Sequence, residues 1–185
     1  LTLAAPEAIY KAGAYIYAID SASTAQAECY TMSAAGALTD AAGSGLPSAN
    51  PIVKPAGLSA TWGNAICGTS DGLTVVVSEP GVAIYVYTRT STANGWALTH
   101  TLTDVDAAYG TYGELVAMNN NYLVTCGKQC GTSGKKVWIY KISASAATLA
   151  DSVVINASAT NTHLSSSISA AWDRDFFCIS EAGVG

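Results

Sequence analysis

The residues with most chemical potential are the five cysteines, Cys29, Cys67, Cys126, Cys130 and Cys178. Cys126 and Cys130 flank Gly127-Lys128-Gln129, a spacing that suits a local disulfide closing a hairpin loop. A zinc site would need two further ligands, and no second Cys pair or neighbouring His supplies them. Of the others, Cys29 with Cys67 is the better candidate for a second bridge if their Cα geometry allows it, leaving Cys178 unpaired. Such pairing favours an oxidising compartment. His100 and His163 lie far apart and neither has a carboxylate close in sequence. His100, between Thr99 and Thr101, reads as a surface side chain.

No G-x-S-x-G nucleophile turn is present. Gly131-Thr132-Ser133-Gly134-Lys135-Lys136 has a faint phosphate-loop look. It lacks the glycine spacing and the Ser or Thr after Lys, and leads into a strand, so it reads as a hairpin turn. Asp173 and Asp175 put two carboxylates at one turn, where calcium wants about six to eight oxygens. Turn chemistry is the better account. Asn156-Ala157-Ser158 is an N-glycosylation sequon, expected on a loop after a strand. No catalytic set, cofactor site or metal site is expected, and the chain is not read as an enzyme.

Composition supports that reading. Of the 185 residues half are apolar and 11% charged, against about a quarter charged in ordinary soluble domains. Ala, Ser, Thr and Gly fill the difference, giving a hydroxyl-rich surface suited to extracellular, glycosylated or self-associating proteins. A net charge of −5 with eight basic residues argues against nucleic acid. The one basic pair, Lys135-Lys136, reads as a solvated hairpin flank. No apolar run approaches the ~18–20 residues of a membrane-spanning helix. Opening on the strand-like Leu1-Thr2-Leu3-Ala4-Ala5, the chain suggests a mature or truncated product.

The elements that must carry these residues repeat. Trp62-Gly63-Asn64-Ala65-Ile66-Cys67, Tyr112-Gly113-Glu114-Leu115-Val116-Ala117 and Leu164-Ser165-Ser166-Ser167-Ile168-Ser169 begin 50 and then 52 residues apart. Each leads to a turn: Ser70-Asp71-Gly72, Asn119-Asn120-Asn121 and Asp173-Arg174-Asp175. A second apolar strand follows at Leu73–Val77, Tyr122–Cys126 and Phe176–Ser180, and Leu1–Ala5 matches it. A third strand carries aromatics at i and i+2: Tyr15/Tyr17, Tyr85/Tyr87 and Trp138/Tyr140, with Ile16, Val86 and Ile139 on the other face. Apolar residues on both faces predict a strand buried between two sheets. A weaker fourth strand is Glu28–Met32, Trp96–Leu102 and Ser152–Ile155. Four short antiparallel strands at a period near 50 predict an all-β fold of β-propeller blades, about three repeats plus an extra strand. The units run approximately over residues 1–60, 61–110, 111–162 and, in part, 163–185. A β-sandwich is the competing fold, but it has no reason to repeat an aromatic strand at fixed intervals.

The first unit has extra length over residues 34–57, with Pro47, Pro51 and Pro55 at four-residue steps among Ser44, Ser48 and other small residues. It reads as a flexible surface insertion or as an O-glycosylated or partner-binding loop.

The order of these elements resembles the FG-GAP repeats of integrin-type propellers. In that family a Phe-Gly pair opens the innermost strand and a Gly-Ala-Pro turn follows the second. Trp62-Gly63 and Tyr112-Gly113 stand at the first position, while Leu164-Ser165 departs from it. Ala4-Ala5-Pro6, Ser78-Glu79-Pro80, Cys126-Gly127 and Ser180-Glu181-Ala182-Gly183 stand at the second. The family's calcium loop, D-x-D-x-D-G, is not matched, so calcium binding is not carried over.

Three units are too few to close a propeller of four to eight blades. Either further blades belong to a longer chain, or neighbouring copies complete the assembly as a homo-oligomer or filament. The expectation is an extracellular structural or adhesive module acting through protein or glycan contacts. The alternative is part of a carbohydrate-active hydrolase or lyase whose site lies elsewhere. The innermost strands offer only Asn64, Cys67, Glu114 and Ser166, and Glu114 alone cannot provide paired acid–base chemistry.

Overall fold

The computed structural model describes residues 6–20, 26–40, 52–91, 95–103, 107–127, 134–156, 164–170 and 177–182. These form antiparallel sheets that follow one another along the chain. Sheet 1 holds β1 (Pro6–Ala12), β2 (Tyr15–Asp20), β3 (Gln26–Met32) and β4 (Leu38–Asp40) in that order, with β5 (Ile52–Val53) also on β3. Sheet 2 is β6 (Ile66–Gly68), β7 (Thr74–Glu79), β8 (Ala83–Thr88) and β9 (Ala97–Thr103). A 3-10 turn at Ala107–Tyr109 leads to sheet 3, made of β10 (Leu115–Met118), β11 (Tyr122–Cys126), β12 (Lys135–Ile142) and β13 (Ala147–Asn156). Sheet 4 pairs β14 (Leu164–Ala170) with β15 (Phe177–Ala182).

The first strands form the inner row: β6 lies against β1 and β10, and β10 lies against β14. Side-chain alternation then assigns each face of sheets 2 and 3 to a neighbour. Tyr85 and Tyr87 on β8, with Val75 and Val77 on β7, face sheet 1 together with Trp62, Tyr17 and Ile19. The intervening Ile84, Val86 and Val76 face sheet 3, where Tyr112, Trp138 and Tyr140 meet them. Val137 and Val124 face the next sheet along, towards Phe177. Middle strands are therefore apolar on both sides, as the sequence predicts. Each buried ring contributes roughly 1.5–3 kcal/mol.

The glycine of each aromatic-Gly pair makes a left-handed turn, at φ +93 for Gly63 and +80 for Gly113. That conformation is open to glycine at little cost, and it lets Trp62 and Tyr112 swing into the seams, where both are fully buried. A Cβ on Gly63 would lie 3.0 Å from Ile19 Cγ2.

The first unit differs from the sequence reading by one strand. Tyr15–Asp20 is the second strand of its sheet, whereas β8 and β12 are third. Glu28–Met32, expected fourth, lies within the third strand, and the fourth position is shared by β4 and β5. Tyr17 therefore faces the following sheet, while Tyr87 and Tyr140 face the preceding one. The physical reason is that aromatics at i and i+2 mark a buried face, not a strand's rank. The hairpin at Gly13 (φ +58) makes Pro6–Ala12 the inner strand without a Phe-Gly opening. Leu1–Ala5 lie outside the described residues.

Lys135 also departs from expectation. Far from being a solvated flank it is fully buried. Alternation along β12 puts it on the face of Val137, towards sheet 4, and opposite Asn156. Lys136 takes the other face, its Nζ 5.1 Å from the Tyr109 ring and 5.9 Å from that of Trp138.

The connection from sheet 1 to sheet 2 is fixed by a buried carboxylate. Glu79 ends β7 and accepts hydrogen bonds from the Ser59 N–H and the Tyr85 hydroxyl, both at 2.7 Å. Burial alone would raise its pKa. The bonds from Ser59 and Tyr85, with the Lys54 charge, outweigh burial and hold the carboxyl below its usual range. A depressed carboxylate stabilises the fold above its unfolded pKa of about 4.3, and that contribution disappears as pH falls through the folded value. Glu79→Gln is expected to lower stability at pH 7 by about 1.5–3 kcal/mol. The gap to the parent chain should close in acid below that unfolded value, as urea titrations across pH would read.

Candidate functional site

The structure separates the paired cysteines. Cys29 lies in the seam between sheets 1 and 2, with Arg89 Nη2 3.9 Å from its sulfur. Cys67 lies in the seam between sheets 2 and 3, where complete burial pushes its thiol well above its ordinary pKa. The proposed Cys29–Cys67 bridge is not formed, because the two side chains enter opposite seams of sheet 2. Cys126 is buried at the end of β11, and Cys130, its expected partner, lies outside the described residues. Cys178 is an exposed thiol on β15.

Ser44, Pro47, Ser48 and Pro51 lie outside the described residues, as do His163, Asp173 and Asp175. Pro55 is half-buried and its carbonyl accepts from Leu58 N at 3.5 Å. Asn156 ends β13, the outermost strand of sheet 3, rather than sitting on a loop, and the rest of its sequon lies outside the described residues. His100 is half-buried, its Nε2 3.2 Å from Ser143 O, so it ties sheet 2 to sheet 3 instead of standing free on the surface. Asn64 Nδ2 donates to Glu114 O at 3.4 Å, again between those sheets. Among the described residues no three His, Cys, Asp or Glu side chains gather as a metal site.

The aromatic rings of the repeated strand are taken up in packing. Tyr17, Tyr85, Tyr87, Trp138 and Tyr140 are buried and Tyr15 is half-buried. Tyr112 meets Trp138 edge-on at 5.3 Å between centroids, and its hydroxyl donates to that of Tyr140 at 3.0 Å. Tyr17 donates to Thr69 O at 2.6 Å, and Tyr10 reaches from β1 to Met118 O at 2.8 Å. Burial raises the pKa of both phenols. Burial also raises that of Tyr87, with the Trp62 indole opposing, yet neither group reaches a partner at full hydrogen-bond geometry.

What the molecule offers instead is a groove of about 600 Å³ at one end of sheets 2 and 3. Its apolar lining includes Leu73, with Met118 and Ile142 buried, and its polar lining includes Asp71, Thr74, Thr88 and Asn120. Asp71 and Asn120 come from the first turns of successive sheets. Asp71 Oδ1 accepts from Thr69 Oγ1 at 2.5 Å and from Leu73 N at 2.9 Å. Asn120 Oδ1 accepts from Ser70 N at 3.0 Å and Ser70 Oγ at 2.9 Å, joining the two turns. Behind them, Arg89 donates from Nε to Gly72 O at 2.7 Å and stacks 4.2 Å over the Trp96 ring. Sequence reasoning found both turns but not the groove. The signal was their spacing: Ser70 and Asn120 are 50 residues apart, one repeat, and therefore neighbours.

No protein-family model matches the chain. No curated protein matches it either. Among solved structures it is similar to Saccharomyces cerevisiae Sqt1, a WD40 propeller, at a TM-score of 0.51 and 12% identity. The likeness covers 89% of this chain and 37% of Sqt1. At that identity it shows the fold alone: the sheets are β-propeller blades.

Proposed function

We propose that the chain is an extracellular structural or adhesive propeller module that acts by contact with proteins or glycans, and not by catalysis. The observation that carries this reading is where the rings are: they are spent between blades, which leaves solvent-facing surfaces built of hydroxyl, amide and small apolar groups. Outer strands add exposed Leu98, Leu149, Val153 and Val154, the kind of surface another chain can cover. The left-handed glycines after Trp62 and Tyr112 support an FG-GAP-type blade. Further blades, in the same chain or a second copy, are part of the proposal.

The test is to express the chain through a secretory route and probe it on arrays of extracellular proteins and glycans. Saturable binding to at least one class is the expected result, with an N-glycosidase-sensitive mass that Asn156→Gln abolishes. Turnover of a polysaccharide, or no binding to either class, would refute the reading.

A further inference from the structure

We infer that the groove between the β6–β7 and β10–β11 turns binds a neutral saccharide. This inference rests on the contact-module reading above and names one of its sites. Among the described residues, several polar atoms there have no hydrogen-bond partner. Asp71 uses Oδ1 for its turn, which leaves Oδ2, and Asn120 uses Oδ1, which leaves the two donors of Nδ2. Thr74 and Thr88 lie opposite each other across β7 and β8, and both line the groove. A carboxylate oxygen accepts from sugar hydroxyls, an amide NH₂ donates to them, and threonine hydroxyls do both. Among the apolar lining residues, half-buried Leu73 supplies a contact for the C–H face of a pyranose ring, while Met118 and Ile142 are buried. The volume lies within the roughly 300–1,000 Å³ of ordinary small-molecule sites, room for about two to three sugar rings.

Charge selects against other ligands. An acidic sugar or a phosphate would face the Asp71 carboxylate on a chain of net charge −5. Arg89, the cation at the groove, has its guanidinium turned to Gly72 O, Trp96 and Cys29. The lining is also preorganised. The Asp71 turn is fixed to the next sheet through Ser70 and Asn120, and a Cβ on Gly72 (φ +74) would lie 2.5 Å from Tyr15 Cζ. Ligand binding therefore costs little reordering of these side chains.

Gly95 provides a clean test, since it lines the groove and has no atom within 4 Å of where its Cβ would stand. Gly95→Trp starts from a Cβ that meets nothing and puts a bulky ring at the groove, and Thr88→Val removes a hydroxyl at constant shape. The full chain would be titrated with maltotriose, cellotriose, mannotriose and chitotriose, read by saturation-transfer NMR. Binding of at least one is expected, lost in Gly95→Trp and weakened about 2–10-fold in Thr88→Val, with unchanged thermal unfolding. No signal from any of the four overturns the inference, as does a signal that survives Gly95→Trp. If the trisaccharides fail while protein or larger-glycan array binding persists, the site falls and the contact-module reading stands.

Discussion

Trp62→Ala is expected to destabilise the chain by about 3–5 kcal/mol, the range for deleting a buried aromatic side chain from a packed core. At roughly 2–4 °C per kcal/mol for a domain of this size, the melting midpoint should drop by about 6–20 °C. The reason is position. Trp62 is fully buried in a core cluster drawn from both sides of one seam: Tyr17 and Ile19 from sheet 1, Val75, Val77 and Tyr87 from sheet 2. None can follow the vacated volume without leaving its own strand register. Thr101→Ala on the exposed side of β9 serves as the control and should change stability by no more than about 0.5 kcal/mol. A Trp62→Ala loss as small as that control's would mean the ring is not between the sheets.

Gly68→Ala should also destabilise, less strongly and for the opposite reason, too much volume in place of too little. A Cβ there would stand 2.5 Å from Tyr17 Cε2 and 2.8 Å from the backbone oxygen of Thr74. The ring cannot swing aside cheaply because its hydroxyl is held on Thr69 O. Thr74 O cannot move either, since it accepts from Thr69 N at 3.0 Å. A loss of about 1–3 kcal/mol follows from such overpacking. In a Tyr17→Leu background the same change should cost less, because the ring is gone and only the Thr74 oxygen still obstructs. Urea-derived free energies of the four species would show that coupling, whereas strict additivity would place Tyr17 away from Gly68.

These two sites show what the sequence could and could not reveal. The aromatic-Gly pairs and the doubly apolar strands were legible because burial on both faces writes apolar residues at consecutive positions, as in 75–77 and 83–87. The phase of the first unit was not. Tyr15 and Tyr17 satisfy the same pattern from a second strand as Tyr85 and Tyr87 do from a third, since periodicity reports the face and not the neighbour. The charge of Lys135 points to solvent, whereas its place two residues before Val137 puts it on an inward face. The Cys29–Cys67 pairing failed for a related reason: pairing depends on which seam a side chain enters. As for the groove, its polar residues are ordinary turn formers, and only the repeat brings two such turns together.

The central claim is that successive four-stranded blades pack through alternating faces, with the first blade out of phase. Methyl NOESY of the full chain tests it most directly. Contacts from the Ile19 methyls to Gly63 and Trp62, alongside contacts from the Ile84 methyls to Gly113, are the predicted result. Contacts to Trp62 from Ile16, with none from Ile19, would contradict it.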